Sequence, residues 1–292
     1  MKKLFSFLVI LALTVSVSLA QNTATANQNG DFNNATITQT GSNEAYVEQN
    51  SSANALNKGN VVSVNQTLVG TLQNKSTVYQ GDITKNKRAK RALATVQQTG
   101  EGNEALIYQV ASKGVTEQLQ TGNLNYAEAT TSGGVKVYQT QQGNENYVRL
   151  GQGLMQNGQV DQYQEGDKNR AGITVAGPGT RSAHLRQKQI GNENESYIIG
   201  FRGNPGMLSY IDQFGNQNWA DLQLTGGQKN GFVITQDGNL NTLDADITKN
   251  ENYMDLYQLG NENDINIMIQ NSGENTVTVS QTGNLNVANI NQ

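Results

Sequence analysis

Residues 275–292 read NTVTVSQTGNLNVANINQ, and the fold can be worked outward from them. They split into two seven-residue units, Asn275-x5-Gln281 and Asn286-x5-Gln292, joined by a four-residue connection that contains Gly283. Number each unit from 0 at its Asn to 6 at its Gln. The even positions of the first unit are then Asn275, Val277, Val279 and Gln281, and the odd ones are Thr276, Thr278 and Ser280. Period-two alternation marks a β-strand with one buried face, because successive side chains of a strand point to opposite sides.

The same pattern fills the chain. The connection Gln-x-Gly-x-x-Asn occurs as Gln28/Gly30/Asn33, Gln98/Gly100/Asn103, Gln120/Gly122/Asn125, Gln141/Gly143/Asn146 and Gln164/Gly166/Asn169. It continues as Gln189/Gly191/Asn194, Gln213/Gly215/Asn218, Gln236/Gly238/Asn241, Gln258/Gly260/Asn263 and Gln281/Gly283/Asn286. From Gln98 onward the copies are 21 to 25 residues apart, and 23 seven-residue units can be placed between Asn22 and Gln292. Every insertion falls in the other connection, as at Gly177-Pro178-Gly179 and Asn204-Pro205-Gly206. One turn is therefore geometrically fixed and the other is a tolerant surface loop. The fixed turn needs Gly where φ is positive. The Asn that follows it in seven copies (Asn123, Asn144, Asn192, Asn216, Asn239, Asn261, Asn284) is expected to tolerate the left-handed region.

Charge decides which face is inside. No Asp, Glu, Lys or Arg occupies an even position of any unit. Odd positions carry Glu44, Lys75, Glu128, Arg149, Asp212 and Asp255 among others, together with all eleven tyrosines and Trp219. Inward positions 2 and 4 are small or aliphatic, as at Ala105, Ile107, Ala288 and Ile290, and amides flank them. Two strands facing each other across a fixed turn make one rung of an all-β solenoid with two facing parallel sheets. About eleven rungs stacked at roughly 4.8 Å give a column on the order of 50 Å. Asn then lies over Asn and Gln over Gln, which pairs amides that would each cost about 1–3 kcal/mol if buried alone.

Composition agrees once it is read by position. Asn and Gln supply 70 of 292 residues, and as an unpatterned quantity they suggest disorder; the period-two segregation of charge excludes it. With no Cys and one His, disulfide frameworks, Cys/His zinc sites and thiol catalysis are excluded. His184 sits outward without a nucleophile at a motif spacing, and the carboxylates are scattered over an exposed face. Gly133-Gly134 and Gly226-Gly227 read as loops; no phosphate-binding motif or other cofactor site is found, so the chain is not expected to be an enzyme. The net charge of −4 gives no general attraction to nucleic acid.

Four segments follow. Residues 1–20 read as a secretory signal peptide: basic Lys2-Lys3, an apolar run from Leu4 to Leu19 interrupted by Ser and Thr, and the small-x-small site Ser18-Leu19-Ala20. Residues 21–49 hold repeats, 50–91 a degenerate stretch with a basic loop, and 92–292 nine repeats. No later span is apolar enough for a membrane helix. The basic loop, Lys85-Asn-Lys87-Arg88-Ala-Lys90-Arg91, is a solvated insertion or a contact for anionic matrix polymers such as DNA.

Gln98-Thr-Gly100-Glu-Gly102-Asn103-Glu-Ala105-x3-Gln109 resembles the curlin repeat, Ser-x5-Gln-x-Gly-x-Gly-Asn-x-Ala-x3-Gln, and Gln281, Gly283, Asn286, Ala288 and Gln292 carry the pattern to the last residue. Position 0 departs from the family, being Asn, Gly, Ala, Val or Met and rarely Ser. The resemblance implies a curli subunit: a secreted protein polymerising into extracellular amyloid fibres of biofilm matrix. It also implies export through a dedicated outer-membrane pore and templating by a nucleator subunit. An intact, uncharged final repeat is more like the major subunit than the nucleator. Independently, an uncapped final unit ending at Gln292 offers a rung edge to another copy, which predicts a head-to-tail filament built on the Gln, Gly and Asn columns. The competing expectations are the nucleator of the same fibre and a monomeric solenoid adhesin or binding module.

Overall fold

The computed structural model describes residues 21–30, 32–51, 59–81, 89, 91–110, 113–156, 158–174, 180–181, 184–199, 208–223, 231–246, 252–270 and 275–291. The leader expected over residues 1–20, Lys85, Lys87, Arg88 and Lys90, both Pro-containing insertions, Gly226-Gly227 and Gln292 lie outside the described residues.

Among the described residues every regular element is a strand, and apart from the two-residue Thr180–Arg181, which pairs with the end of Tyr147–Gln156, the strands alternate between two parallel sheets. The first sheet stacks, in order, Thr23–Asn29, Asn43–Asn50, Asn74–Gln80, Glu104–Gln109, Tyr126–Ser132 and Tyr147–Gln156. It continues with Arg170–Ile173, Glu195–Tyr197, Trp219–Ala220, Thr242–Ala245, Asp264–Met268 and Val287–Asn291. The second stacks Asn34–Thr40, Val61–Leu68, Leu93–Gly100, Val115–Thr121, Lys136–Gln142 and Gln159–Glu165. His184–Ile190, Leu208–Phe214, Gly231–Asp237, Asn252–Leu259 and Asn275–Thr282 complete it. The chain is a β-solenoid, as the alternation predicts. Like residues pair across neighbouring rungs: Gln98 lies opposite Gln120, Gln120 opposite Gln141, and Tyr126 opposite Tyr147.

Burial follows the two-residue period. Tyr126–Ser132 buries every second residue, and Lys136–Gln142 does so through Gln141. Among the described residues no Asp, Glu, Lys or Arg is buried, whereas Asn and Gln fill much of the interior. One apolar cluster joins Ala45, Val47, Val62, Val64, Val78, Ala94, Val96, Ala105 and Ile107. A longer one runs from Ala129 and Val135 to Ile269 and Val277. They part at the rung where Thr116, Gln118 and Thr131 take inward positions. The stretch that looked degenerate by motif still supplies two column strands, Val61–Leu68 and Asn74–Gln80. Its turn lacks the fixed spacing, and Glu101 of the next rung ties it down by accepting from Thr71 N–H at 2.7 Å and Leu72 N–H at 3.2 Å.

Three local expectations need correction. The Asn that follows the turn Gly is not the left-handed residue. That role falls one position later, to Leu124, Glu145, Glu193, Gln217, Leu240, Glu262 and Leu285, with φ between 56° and 59°. The Asn is placed instead to accept a hydrogen bond from the rung before it, as Asn144 does from Asn123 N–H at 3.0 Å. Inward position 4 is not only aliphatic, since Gln118, Gln139, Gln162 and Gln187 are all buried there. Finally, the ten turn motifs do not form one column. The turns from Gln98 to Gln281 lead from the second sheet to the first, but the Gln28/Gly30/Asn33 turn leads from the first to the second. It sits at the opposite corner, half a turn out of phase.

Candidate functional site

The prominent constructed feature is a set of amide ladders. At the corner where the second sheet enters the fixed turn, Gln39, Gln66, Gln98, Gln120, Gln141, Gln164, Gln189, Gln213, Gln236, Gln258 and Gln281 lie in one column. Each Nε2 donates to the Oε1 of the next, at 2.7–3.1 Å. The same Nε2 also bridges to the facing sheet; Gln120, for example, donates to Glu104 O at 2.9 Å and Asn125 O at 3.0 Å. Both amide protons are thereby used without water, which is how a fully buried Gln is tolerated.

Beyond the turn runs an Asn column with the opposite polarity. Asn125 donates from both N and Nδ2 to Asn103 Oδ1 at 3.1 Å, and Asn169, Asn194, Asn218, Asn241, Asn263 and Asn286 repeat the arrangement on the Asn one rung earlier. Gln side chains thus donate toward the C-terminal rungs and Asn side chains toward the N-terminal ones. Asn Nδ2 also reaches forward to the turn Gly carbonyl of the next rung, as from Asn194 to Gly215 at 2.7 Å.

Asn146 departs from the expected side-chain ladder and corrects it at one rung. Its backbone N–H donates to Asn125 Oδ1 at 3.0 Å, but its Nδ2 donates forward to the Gly166 carbonyl at 2.6 Å. Among the described residues no side-chain bond joins Asn146 Nδ2 to Asn125. Asn125, Asn169 and Asn194 make the same forward bond to a turn-Gly carbonyl, so the step at Asn146 lacks only the backward side-chain bond, and the main chain carries the column across it. Asn146 remains buried and in the column as an acceptor, since its Oδ1 takes bonds from Asn169 N at 3.0 Å and Nδ2 at 3.1 Å.

Gly is required in this turn for two reasons. Its φ is positive, 119° at Gly191, and a Cβ built there would lie 1.9 Å from the carbonyl oxygen of Gly215 in the next rung. The same near-2 Å encounter recurs at Gly100, Gly122, Gly143, Gly166, Gly215, Gly238 and Gly260. Gly283 is different: its nearest neighbour is its own rung's Asn286 Nδ2 at 3.6 Å.

The structure therefore brings the predicted residues from Gln98 to Asn286 into adjoining columns and sets Gln28, Gly30 and Asn33 at the other corner. There Gln28, Gln49, Gln80 and Gln109 form a shorter ladder at 2.7–3.0 Å. The turn motif alone misses Gln39, Gln66, Asn43 and Asn74, which belong to the long columns; the Asn-x5-Gln unit spacing finds them. It also misses the interior ladder Gln118–Gln139–Gln162–Gln187 at 2.7–2.9 Å. That ladder begins opposite Val96, and Gln118 Oε1 is left buried without a donor. An interrupted ladder leaves its last acceptor unpaired, at a cost of about 1–3 kcal/mol.

The outer faces carry rows of like and opposite side chains. Tyr46, Tyr79 and Tyr108 follow one another at 5.6 and 5.9 Å, and Tyr126 stacks on Tyr147 at 5.0 Å. Burial and the neighbouring Glu128 push the Tyr126 hydroxyl far above its ordinary range. Arg149 pairs with Glu128 at 3.2 Å and Arg170 with Glu195 at 3.8 Å, while Arg186 pairs with Asp212. His184 is held by Asp161 and lies edge-on to Tyr210. Asp221 is held above the usual carboxyl range by burial first and then by Asp244 and Asp246. Among the described residues no group of three or more His, Asp or Glu side chains could hold a metal ion, and no helix is long and apolar enough to cross a membrane.

Residues 21–50 match the family model of the curlin-associated repeat. The match spans the strands Thr23–Asn29, Asn34–Thr40 and Asn43–Asn50 with the turns at Gly30 and Gly41. No curated relative matches the chain.

Proposed function

We propose that this chain, which carries a curlin-associated repeat at residues 21–50, is a secreted structural subunit that polymerises end to end into curli-type fibres of an extracellular matrix. The observation that carries the proposal is the directional Gln column. Its ten bonds all point one way, so one end of the column presents acceptors and the other presents a donor. Among the described residues no donor reaches Gln28 Oε1 or Gln39 Oε1, and Gln281 Nε2 donates only to Asp264 O at 3.0 Å. The apolar residues at both ends are only partly buried: Ala26, Ala35 and Ile37 at one, Val279, Ala288 and Ile290 at the other. A second copy stacked head to tail continues backbone pairing, ladders and core together, and a contact that does not close makes a filament.

Extracellular delivery rests on the leader over 1–20 and on the family, which also supplies the export pore and the nucleator as partners. The basic run Lys85–Arg91 is the place where such a fibre would retain DNA or acidic polysaccharide. Charge reversal there is expected to abolish salt-sensitive DNA retention by fibres; unchanged retention removes that partner. The polymer proposal itself is tested by sedimentation and electron microscopy of the purified chain 21–292. Unbranched fibres are expected, and a protein that stays monomeric for days at high concentration favours a solenoid binding module instead.

A further inference from the structure

We infer that successive copies in the fibre are related by a half-turn about the column axis, so that the strand Thr23–Asn29 of one copy stacks on Asn275–Thr282 of the copy before it. This rests on the polymer proposal and specifies its junction.

Strand arithmetic is the first ground. The first and last described strands, Thr23–Asn29 and Val287–Asn291, lie in the same sheet, whose path holds twelve strands against eleven in the other. Copies stacked without rotation would add twelve strands to one sheet and eleven to the other over the same length. At each junction Asn34–Thr40 would stand two rungs, roughly 9.6 Å, from Asn275–Thr282, too far for a backbone hydrogen bond. A half-turn removes the vacancy. It brings first-sheet strands over second-sheet strands and keeps them parallel, because facing strands of one rung run in opposite directions.

The phase of the turns is the second ground, and it is independent. Within the chain the Gln28/Gly30/Asn33 turn is at the wrong corner. After the half-turn it lies over the Gln281/Gly283/Asn286 turn of the preceding copy, residue for residue. Gly30 and Gly283 both have positive φ, 89° and 108°, and are followed two positions later by left-handed Phe32 and Leu285, with φ of 61° and 59°. Phe32 is 50% and Leu285 70% exposed, and stacking sets these two apolar side chains one over the other, which brings Leu285 toward the 50% and 47% that Leu124 and Leu240 keep within the column. The Gly30 carbonyl then fills the space above Gly283 that a turn-Gly carbonyl fills in the rungs before it. Inward residues agree as well, with Gln28 over Gln281, Ala35 over Ala288 and Ile37 over Ile290. Gln281 Nε2 meets the unpaired Gln28 Oε1 with the donor direction of the whole column.

The chain has no cysteine, so cross-links can be introduced singly. Thr25, Thr36, Thr278 and Asn289 all occupy exposed position 3 of their units, and in-register parallel neighbours lie at roughly 4.8 Å, within disulfide range. Fibres grown from the double variant Thr25→Cys/Thr278→Cys, and separately from Thr36→Cys/Asn289→Cys, should on mild oxidation give ladders of covalent multimers in non-reducing gels. Thr25→Cys/Asn289→Cys should give none, because those positions fall on opposite faces. Fibres that cross-link only through Thr25→Cys/Asn289→Cys, or through no pair, overturn the half-turn while leaving polymerisation standing. A chain that forms no fibres, with or without the substitutions, overturns polymerisation and the half-turn with it.

Discussion

Gly191 and Gly283 occupy equivalent places in their repeats but do not face the same neighbours, and substitution should separate them. Gly191→Ala forces a Cβ to within 1.9 Å of the Gly215 carbonyl oxygen, so a loss of about 2–4 kcal/mol is expected in denaturant unfolding. Gly283→Ala meets nothing closer than 3.6 Å within the chain and should cost only the backbone strain, about 1 kcal/mol. The same variant should slow fibre elongation, because its methyl group occupies the place of the incoming Gly30 carbonyl. Leu240 holds φ at 56° while its N–H donates to Asn216 O at 3.0 Å, a backbone bond that glycine would keep without the strain, and Leu240→Gly is expected to stabilise the column by about 0.5–1 kcal/mol, measured by the same unfolding curves. The left-handed residue was not legible in the sequence. Propensity favours Asn239, one position earlier, but Asn239 Oδ1 accepts from Asn216 N–H at 2.9 Å, and that cross-rung bond decides which residue takes the strain.

At the scale of the strand, the alternation of charge and aliphatic residues was enough to assign faces, sheets and rung length, because one misplaced Lys or Asp would be a buried unpaired charge. What it could not reveal was the corner at which a turn lies, since both corners join similar seven-residue units. Nor did it reveal the interior column from Gln118 to Gln187, where an amide replaces an aliphatic residue at position 4. Both depend on which strand stacks on which. The break at Asn146 was equally invisible, because its Gln-x-Gly-x-x-Asn motif and its forward bond to a turn-Gly carbonyl are those of its neighbours, and only the backward side-chain bond is lacking. Gln164 tests the ladder as an element. It accepts from Gln141 at 3.0 Å and donates to Gln189 at 2.8 Å, so Gln164→Leu strands a donor above and an acceptor below. A loss of about 2–5 kcal/mol is expected from the two orphaned amides. Hydrogen exchange should show that loss spreading from the rungs around Gln164, because each rung of a solenoid contacts only its neighbours.

For the molecule as a whole, charge is distributed unevenly along the column. Residues 201–292 carry ten carboxylates against three cations, whereas residues 21–200 carry fourteen against fifteen. Two acidic C-terminal ends repel, which reinforces the head-to-tail sense set by the ladders, most strongly at low ionic strength. The acidic end also sets a pH dependence. A carboxyl such as Asp221, whose folded pKa lies above its unfolded one, binds its proton more tightly in the column. Stability should therefore rise as pH falls through the folded value toward the ordinary carboxyl value of about 4, and gain nothing more from this group below it. Asp221→Asn should flatten that part of the pH profile of unfolding.

Elongation from pre-formed ends is the most direct measurement of whether this column is a unit built to be extended. Sheared fibre seeds should elongate in fresh chain 21–292 without a lag, at a rate proportional to the number of ends and linear in monomer concentration. Seeds that recruit no chain, in a solution that remains monomeric, would contradict the account.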